Sequence, residues 1–397
     1  MNTFLPAGYR YAGVRAGINP SSDKSKKDLA LIISGVPAVA AGVFTKNRVK
    51  AAPVLLCKRR INNKISAIVV NSGNANACTG QQGFDDAVRM GRTLAELLDV
   101  PETRTLVCST GTIGVPMPVK VIDAGIRDAV TKLAPDSADD VASAIMTTDT
   151  KPKQVTRTFN IGGRQITVHG LAKGSGMISP NMATMLAFIL TDAAVDRPAL
   201  KSCLKDAVDL SFNRVTVDGD MSTNDTVIAL ANGLADNKPL RPGAPGWKAF
   251  QTAIREVTLE LALMIAADGE GATKLVTVIV RGAASPKDAQ LAAKSVANSL
   301  LVKTAWYGSD PNWGRVMAAL GYSGAKIQPD RVSISYNDLC VVRNGISANA
   351  PIKRFSEIIE HPKFTIEISL GLGKNETTVY SCDISHEYVN LNASYMT

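Results

Sequence analysis

Residues 173–190 constrain this chain more than any other stretch. They read Lys-Gly-Ser-Gly-Met-Ile-Ser-Pro-Asn-Met-Ala-Thr and run straight into Met-Leu-Ala-Phe-Ile-Leu. The glycines, serines, proline and asparagine exclude helix and central strand from the first part. The second part has the length and apolar character of a buried strand. Ala183 and Thr184 therefore fall at a loop-to-strand junction, with Lys173 upstream. Two readings fit the bare residues. One is a tight connection with a structural threonine. The other is an enzyme that cuts its own chain before Thr184 and uses the new N-terminal residue as nucleophile. A threonine hydroxyl is a poor nucleophile alone, but a free α-amine on the same residue is a built-in general base. That amine has a reference pKa near ~8, low enough to accept a proton at working pH where a lysine could not.

Apolar runs predict strands at Leu29–Ser34, Ile65–Val70, Thr105–Cys108, Gln165–His169, Leu186–Leu190, Leu275–Val280, Phe364–Leu370 and Thr377–Ile384. Helical spacing predicts helices at Phe84–Asp99, Val121–Leu133, Ala138–Met146, Ala199–Leu210, Asp225–Ala231, Trp247–Ala267 and Lys287–Leu300. The alternation lacks a strict βαβ rhythm, so the fold class is α+β, a layered α/β arrangement. The proline-rich stretch Asp236–Trp247 is the most loop-like connection, and no repeat occurs.

Several functions are disfavoured. The net charge is +9, but the basic residues are scattered and aromatics make up only 5%. Nucleic-acid binding would call for basic stripes interleaved with aromatics; a modest attraction of anionic substrates fits better. Six dispersed cysteines have no metal-type spacing and read as reduced, mostly buried thiols. The N-terminus lacks a secretory pattern, and the longest apolar stretch is too short to span a bilayer. A cytoplasmic protein without membrane association is expected. The histidines His169, His361 and His386 sit in no nucleophile motif, and neither a GxSxG elbow nor a phosphate-binding GxxxxGK[ST] occurs. Asp218, Asp220 and Asp225 invite a calcium reading, but the spacing of a calcium loop is absent and no metal is expected.

Three polar turns follow apolar or helical segments. They are Asn71-Ser-Gly-Asn-Ala-Asn76, Cys108-Ser-Thr-Gly-Thr-Ile-Gly114 and Asp268-Gly-Glu-Gly-Ala-Thr-Lys274. Each alone reads as a structural bend. Together with KGSGMISPNMATML, the STG-x-IG pattern and the closing Asn392-Ala-Ser-Tyr-Met-Thr397, they resemble the bifunctional ornithine acetyltransferases (glutamate N-acetyltransferases) of the cyclic arginine pathway. The resemblance extends over nearly the whole chain.

That resemblance implies an N-terminal-nucleophile-like, two-lobed architecture made of an α-chain, residues 1–183, and a β-chain, residues 184–397. Cleavage falls between Ala183 and Thr184. Thr184 is then the nucleophile, and Thr110 and Gly111 form the oxyanion hole. Thr147, Lys173, Thr184, Glu270, Asn392 and Thr397 hold substrate, Lys173 as a point charge on a carboxylate and Glu270 against the side-chain amine of ornithine. The blocks 211–225 and 310–315 match with no role assigned, the latter as a packed turn bearing Trp313. The implied reaction is ping-pong transfer of acetyl from N2-acetylornithine to L-glutamate. No cofactor is needed, and bifunctional members also take acetyl-CoA as donor. Both chains of one precursor stay together, as a heterotetramer of two each. Rival readings are a secondary-metabolism acyltransferase paralogue, a self-cleaving amidase or aminopeptidase, and a carrier protein built on the glycine loops.

Overall fold

The computed structural model describes residues 4–19, 23, 25–179 and 185–394. Ala183, Thr184 and Thr397 lie outside the described residues.

Eight strands form the larger sheet: β1 (Tyr9–Val14), β2 (Leu29–Phe44), β3 (Ile65–Asn71), β4 (Thr105–Ser109), β5 (Lys153–Ile161), β6 (Arg164–Lys173), β7 (Leu186–Thr191) and β8 (Thr226–Ala231). Their order is β4-β3-β2-β8-β7-β6-β5, with β1 beside β2. The long strand β2 belongs to two halves. Its first part pairs with β1 and β3, and its second part, Val39–Phe44, pairs with β8. Between Ile33 and Ala38 the register with β3 shifts, and Pro37, which has no N–H for a ladder, sits inside that irregularity.

Alternating side chains sort into layers. Ile68, Val70 and Leu106 from one half share a core with Phe188, Leu190, Ile228 and Leu230 from the other. The opposite face of the first half packs on α2 (Gly80–Leu98) and α3 (Val119–Thr131) through Met90, Leu94, Ile122 and Ile126. The opposite face of the second half packs on α5 (Arg197–Leu210) and α6 (Trp247–Ala267) through Leu200, Leu204, Phe250, Val257 and Leu261. The result is helix–sheet–sheet–helix layering, the layered α+β class expected from the sequence. The short helices α1 (Ala52–Arg60) and α4 (Ala138–Ala144) fill the flanks.

A second lobe is built on six strands: β9 (Leu275–Ala283), β10 (Ser333–Tyr336), β11 (Leu339–Arg343), β12 (Ile346–Ser347), β13 (Lys363–Ser369) and β14 (Asn375–Cys382). Their order is β12-β11-β10-β13-β9-β14. Helices α7 (Pro286–Asn298), α8 (Leu300–Tyr307), α9 (Trp313–Gly321) and α10 (Ile352–Glu360) contribute to its separate apolar core. The chain closes with α11 (His386–Ser394).

Several expectations need correction. Asp225–Ala231 is strand β8 rather than helix. It lies between β2 and β7 with every residue of Thr226–Ala231 buried, and a continuous apolar run does not reveal its period. The predicted helix Lys287–Leu300 stops at Asn298, because the Ser299 side chain caps a new helix by accepting from Val302 N–H. The block at 310–315 is a helix start, with the Asn312 side chain accepting from Arg315 N–H and Trp313 half-buried against the second core. Residues His386–Ser394, for which no element was predicted, form helix α11. The larger sheet takes β1–β6 from before residue 183 and β7 and β8 from after it, so the expected α- and β-chains would share one sheet.

Candidate active site

Strand β6 ends at Lys173 and β7 begins at Leu186, and these two residues are register partners. The predicted cleavage segment therefore connects neighbouring antiparallel strands at one edge of the layers. A cleft of about 230 Å³ opens there. Thr110, Gly111, Thr147, Lys173, Glu270 and Asn392 all line it, although they come from 110 to 392 in the chain. Each of the expected site residues that lies within the described chain is in this one cleft.

Thr110 follows β4, where its N–H donates to the Asn71 carbonyl at 3.0 Å. Its hydroxyl accepts from Lys173 Nζ at 3.2 Å. Gly111 has φ 129, and a Cβ there would stand 2.4 Å from the Gly73 carbonyl carbon. Only glycine fits that approach. The asparagine turn proves to be its support. Asn71 Oδ1 accepts from Ser109 Oγ at 2.6 Å, and Asn224 Nδ2 donates to the Ala75 and Ser109 carbonyls at 2.6 and 2.8 Å. The turn that fixes Thr110 and Gly111 is thus held by buried amides.

Lys173 is only 2% exposed. Burial pushes its ammonium down from the ordinary lysine range, and Asp149, Asp225 and Glu270 work against that fall. Asp149 is the buried anion on this side. Burial alone would raise its carboxyl, but Lys173 and Lys153, together with the Gly174 N–H, hold it at about 2. Lys153 Nζ donates to Asp149 at 2.8 Å and also pairs with Asp268. Thr147 is placed by its N–H, which donates to Asp149 Oδ2 at 3.0 Å. This charge network is a rigid frame that leaves the Lys173 ammonium facing the cleft.

Glu270 sits in the turn between α6 and β9, where its N–H donates to the Ser175 carbonyl at 3.1 Å. It is 8% exposed, and a Cβ on Gly176 would overlap its carboxyl carbon at 2.3 Å. Asn392 Nδ2, on α11, donates to Glu270 Oε2 at 2.7 Å. Helix α11 is therefore anchored beside Glu270 through Asn392.

The cleft also holds residues that the sequence reading gave no role. Asp218 and Tyr388 line it. Burial pushes the Asp218 carboxyl up to about 6 against the backbone N–H groups it accepts. The Tyr388 phenol is raised, first by burial and then by Asp218 and Glu270. In the sequence the aspartates of 218–225 invite a calcium reading and fall in the matching block 211–225, and neither signal assigns them a role. Among the described residues no group of three or more His, Cys, Asp or Glu is placed to hold a metal ion.

Chemically, the cleft offers the Thr110 hydroxyl beside the Lys173 ammonium and, from a separate element, the Glu270 carboxylate. Such a site suits a zwitterionic amino acid with a charged side chain.

A layered fold with this polar cleft at its strand ends presents an enzyme site suited to a small charged substrate. The chain belongs to the ArgJ family, whose model matches residues 10–397. It is 50% identical over 393 residues to the arginine biosynthesis bifunctional protein ArgJ of Symbiobacterium thermophilum, covering 99% of this chain and 98% of that one. It is 50% identical over 392 residues to the same-named protein of Geobacter sulfurreducens, covering 98% and 99%. The crystal structure of the arginine biosynthesis bifunctional protein from Bacillus halodurans superposes with a TM-score of 0.51 at 39% identity, over 52% of this chain and 98% of that one. Among the described residues no helix is long and apolar enough to cross a membrane.

Proposed function

We propose that this chain is a self-processing, bifunctional acetyltransferase of arginine biosynthesis, acting in the cytoplasm. It transfers acetyl from N2-acetylornithine to L-glutamate through Thr184, and acetyl-CoA serves as a second donor. The observation that carries the reading is the convergence of Thr110, Gly111, Thr147, Lys173, Glu270 and Asn392 on one cleft at the ends of the strands flanking Ala183–Thr184.

In this mechanism the Thr184 α-amine takes the proton from Oγ1 as the oxygen attacks the acetyl carbonyl. The oxyanion is held by the Thr110 hydroxyl and the Gly111 N–H. The amide C–N bond breaks, the ammonium returns its proton to the leaving nitrogen, and ornithine departs from acetyl-Thr184. Glutamate then attacks the ester through its α-amine and leaves as N-acetylglutamate, with the proton restored to Oγ1. Lys173 pairs with the carboxylate common to both amino acids, and Glu270 with the ornithine side-chain amine. Thr147, Asn392 and Thr397 complete substrate binding. No resident cofactor takes part. Residues 1–183 and 184–397 remain one body after cleavage because β6 and β7 stay paired, and two such bodies assemble into a heterotetramer.

The test is acceptor dependence. With acetylornithine present, adding glutamate should accelerate ornithine release and yield N-acetylglutamate. Ornithine released equally fast without glutamate would mean that water resolves the acyl-enzyme, and the amidase reading would win.

A further inference from the structure

Both flanks of the predicted cut are gripped by carboxyl groups of one loop, the segment 218–225 that leads into β8. Upstream, Met177 N–H donates to Asp218 Oδ2 at 2.5 Å and Ile178 N–H to Asp218 Oδ1 at 2.9 Å. Val217 N–H closes the same contact on the Ile178 carbonyl at 2.7 Å. Met177 has φ 56, a left-handed conformation that a side chain disfavours and that surrounding contacts must impose. Downstream, Met185 N–H donates to Asp225 Oδ1 at 3.0 Å, and the Met185 carbonyl accepts from Thr226 at 3.1 Å. Asp225 is fully buried, and its Oδ2 accepts no hydrogen bond from the described residues. Sequestering a carboxyl this way opposes folding. Ordinary strand pairing does not require it.

We propose that Asp218 and Asp225 are positioning residues for chain cleavage, a two-point clamp that holds Met177 and Ile178 upstream of the Ala183–Thr184 bond and Met185 downstream of it. The proposal rests on the reading that the chain is cut there. In that step Thr184 Oγ1 attacks the Ala183 carbonyl carbon, the C–N bond breaks, and the freed amine keeps the hydroxyl proton. Water then hydrolyses the ester to the Ala183 carboxylate and the Thr184 hydroxyl. The attack requires the two flanks to be held in a fixed relation, since proximity is lost when either end swings away.

The two grips differ in a way that can be measured. Asp218 uses both oxygens on the N–H groups of Met177, Ile178 and Asp220, so Asp218→Asn puts a donor against a donor. Asp225 uses one oxygen on Met185, so Asp225→Asn keeps the acceptor and Asp225→Ala removes it. The full chain and its variants are followed after synthesis by denaturing mass spectrometry, and precursor stability is compared in a Thr184→Ala background that cannot cut. Asp218→Asn and Asp225→Ala should slow cutting by about tenfold or more, because a buried N–H loses its acceptor. Asp225→Asn should recover most of what Asp225→Ala loses. Cutting at the parental rate in the first two overturns the clamp. An Asp225→Asn chain as slow as Asp225→Ala, or rates that simply follow melting temperature across all three variants, overturns it too. An uncut parent would instead remove the self-cleavage reading on which the clamp stands.

Discussion

The two sheets of this molecule bury very different things. The smaller sheet closes on Val276, Val278, Val280, Ile334, Ile366 and Ile368, with the alanine face of α7 laid over it. At the cleft edge of the larger sheet, Asp149, Lys153, Lys173, Asp225 and Glu270 are all buried within a few residues of strand ends. Burying apolar surface stabilises a fold at little cost, whereas burying five ionisable groups requires a network to offset their lost hydration. The smaller lobe also buries Lys274, Lys303 and Asp383, but none of these lines the cleft, whereas Lys173 and Glu270 do.

Substitutions should separate the two kinds of burial, and the largest effect should fall on catalysis. Thr110→Val keeps the volume and removes the hydroxyl, so kcat for transfer should drop by roughly a hundredfold to a thousandfold with the fold intact. A variant with unchanged kcat would return the Ser-Thr-Gly turn to a purely structural role. In the second lobe, Ile366→Ala should cost about 2–5 kcal/mol of unfolding free energy and leave kcat per folded molecule unchanged. A loss of kcat at full folding would show that the lobes are not separable in this way.

Glu270→Gln should be milder. It keeps shape and the Asn392 contact but loses the charge, weakening acetylornithine by about 1–3 kcal/mol in KM, with a smaller effect on glutamate. Equal weakening of both substrates would remove Glu270 from side-chain recognition.

The smallest effect is electrostatic. The Asp149 carboxyl is held at about 2 in the fold, below its unfolded range. Because the folded pKa is depressed, its ionised form stabilises the fold above about pH 4, the unfolded value. That contribution fades as pH falls toward 2 and is absent below it. Asp149→Asn should therefore flatten the acid limb of melting temperature against pH in that window. An identical limb in parent and variant would contradict the network.

What the sequence disclosed follows the same division. Thr110, Lys173, Glu270 and Asn392 are singled out by the family resemblance, since their turns alone read as structural bends, and the structure brings the four to one cleft. The contacts that join them span up to hundreds of residues and leave no local trace. The support from Asn224 to the turn that carries Thr110 and Gly111, and from Asp218 and Asp225 to the N–H groups of Met177, Ile178 and Met185, is of this kind. Strand β8 was misread because a fully buried strand loses its alternation. Strand β2 was truncated at Ser34 because Gly35 and Pro37 resemble a terminus when the bulge that accommodates them cannot be seen. Helix α11 leaves no sequence pattern because it is held by contacts to Gly271 and Glu270 rather than by a periodic apolar stripe.

The central claim is that the cleft serves a nucleophile created by cutting the chain at Thr184. Intact mass spectrometry under denaturing conditions, after incubation with acetylornithine and without glutamate, tests it most directly. The account predicts two chains, the second beginning at Thr184 and carrying one acetyl group that disappears when glutamate is added. A single uncut chain of 41.9 kDa with no acetyl group, in a preparation that still transfers acetyl, would contradict it.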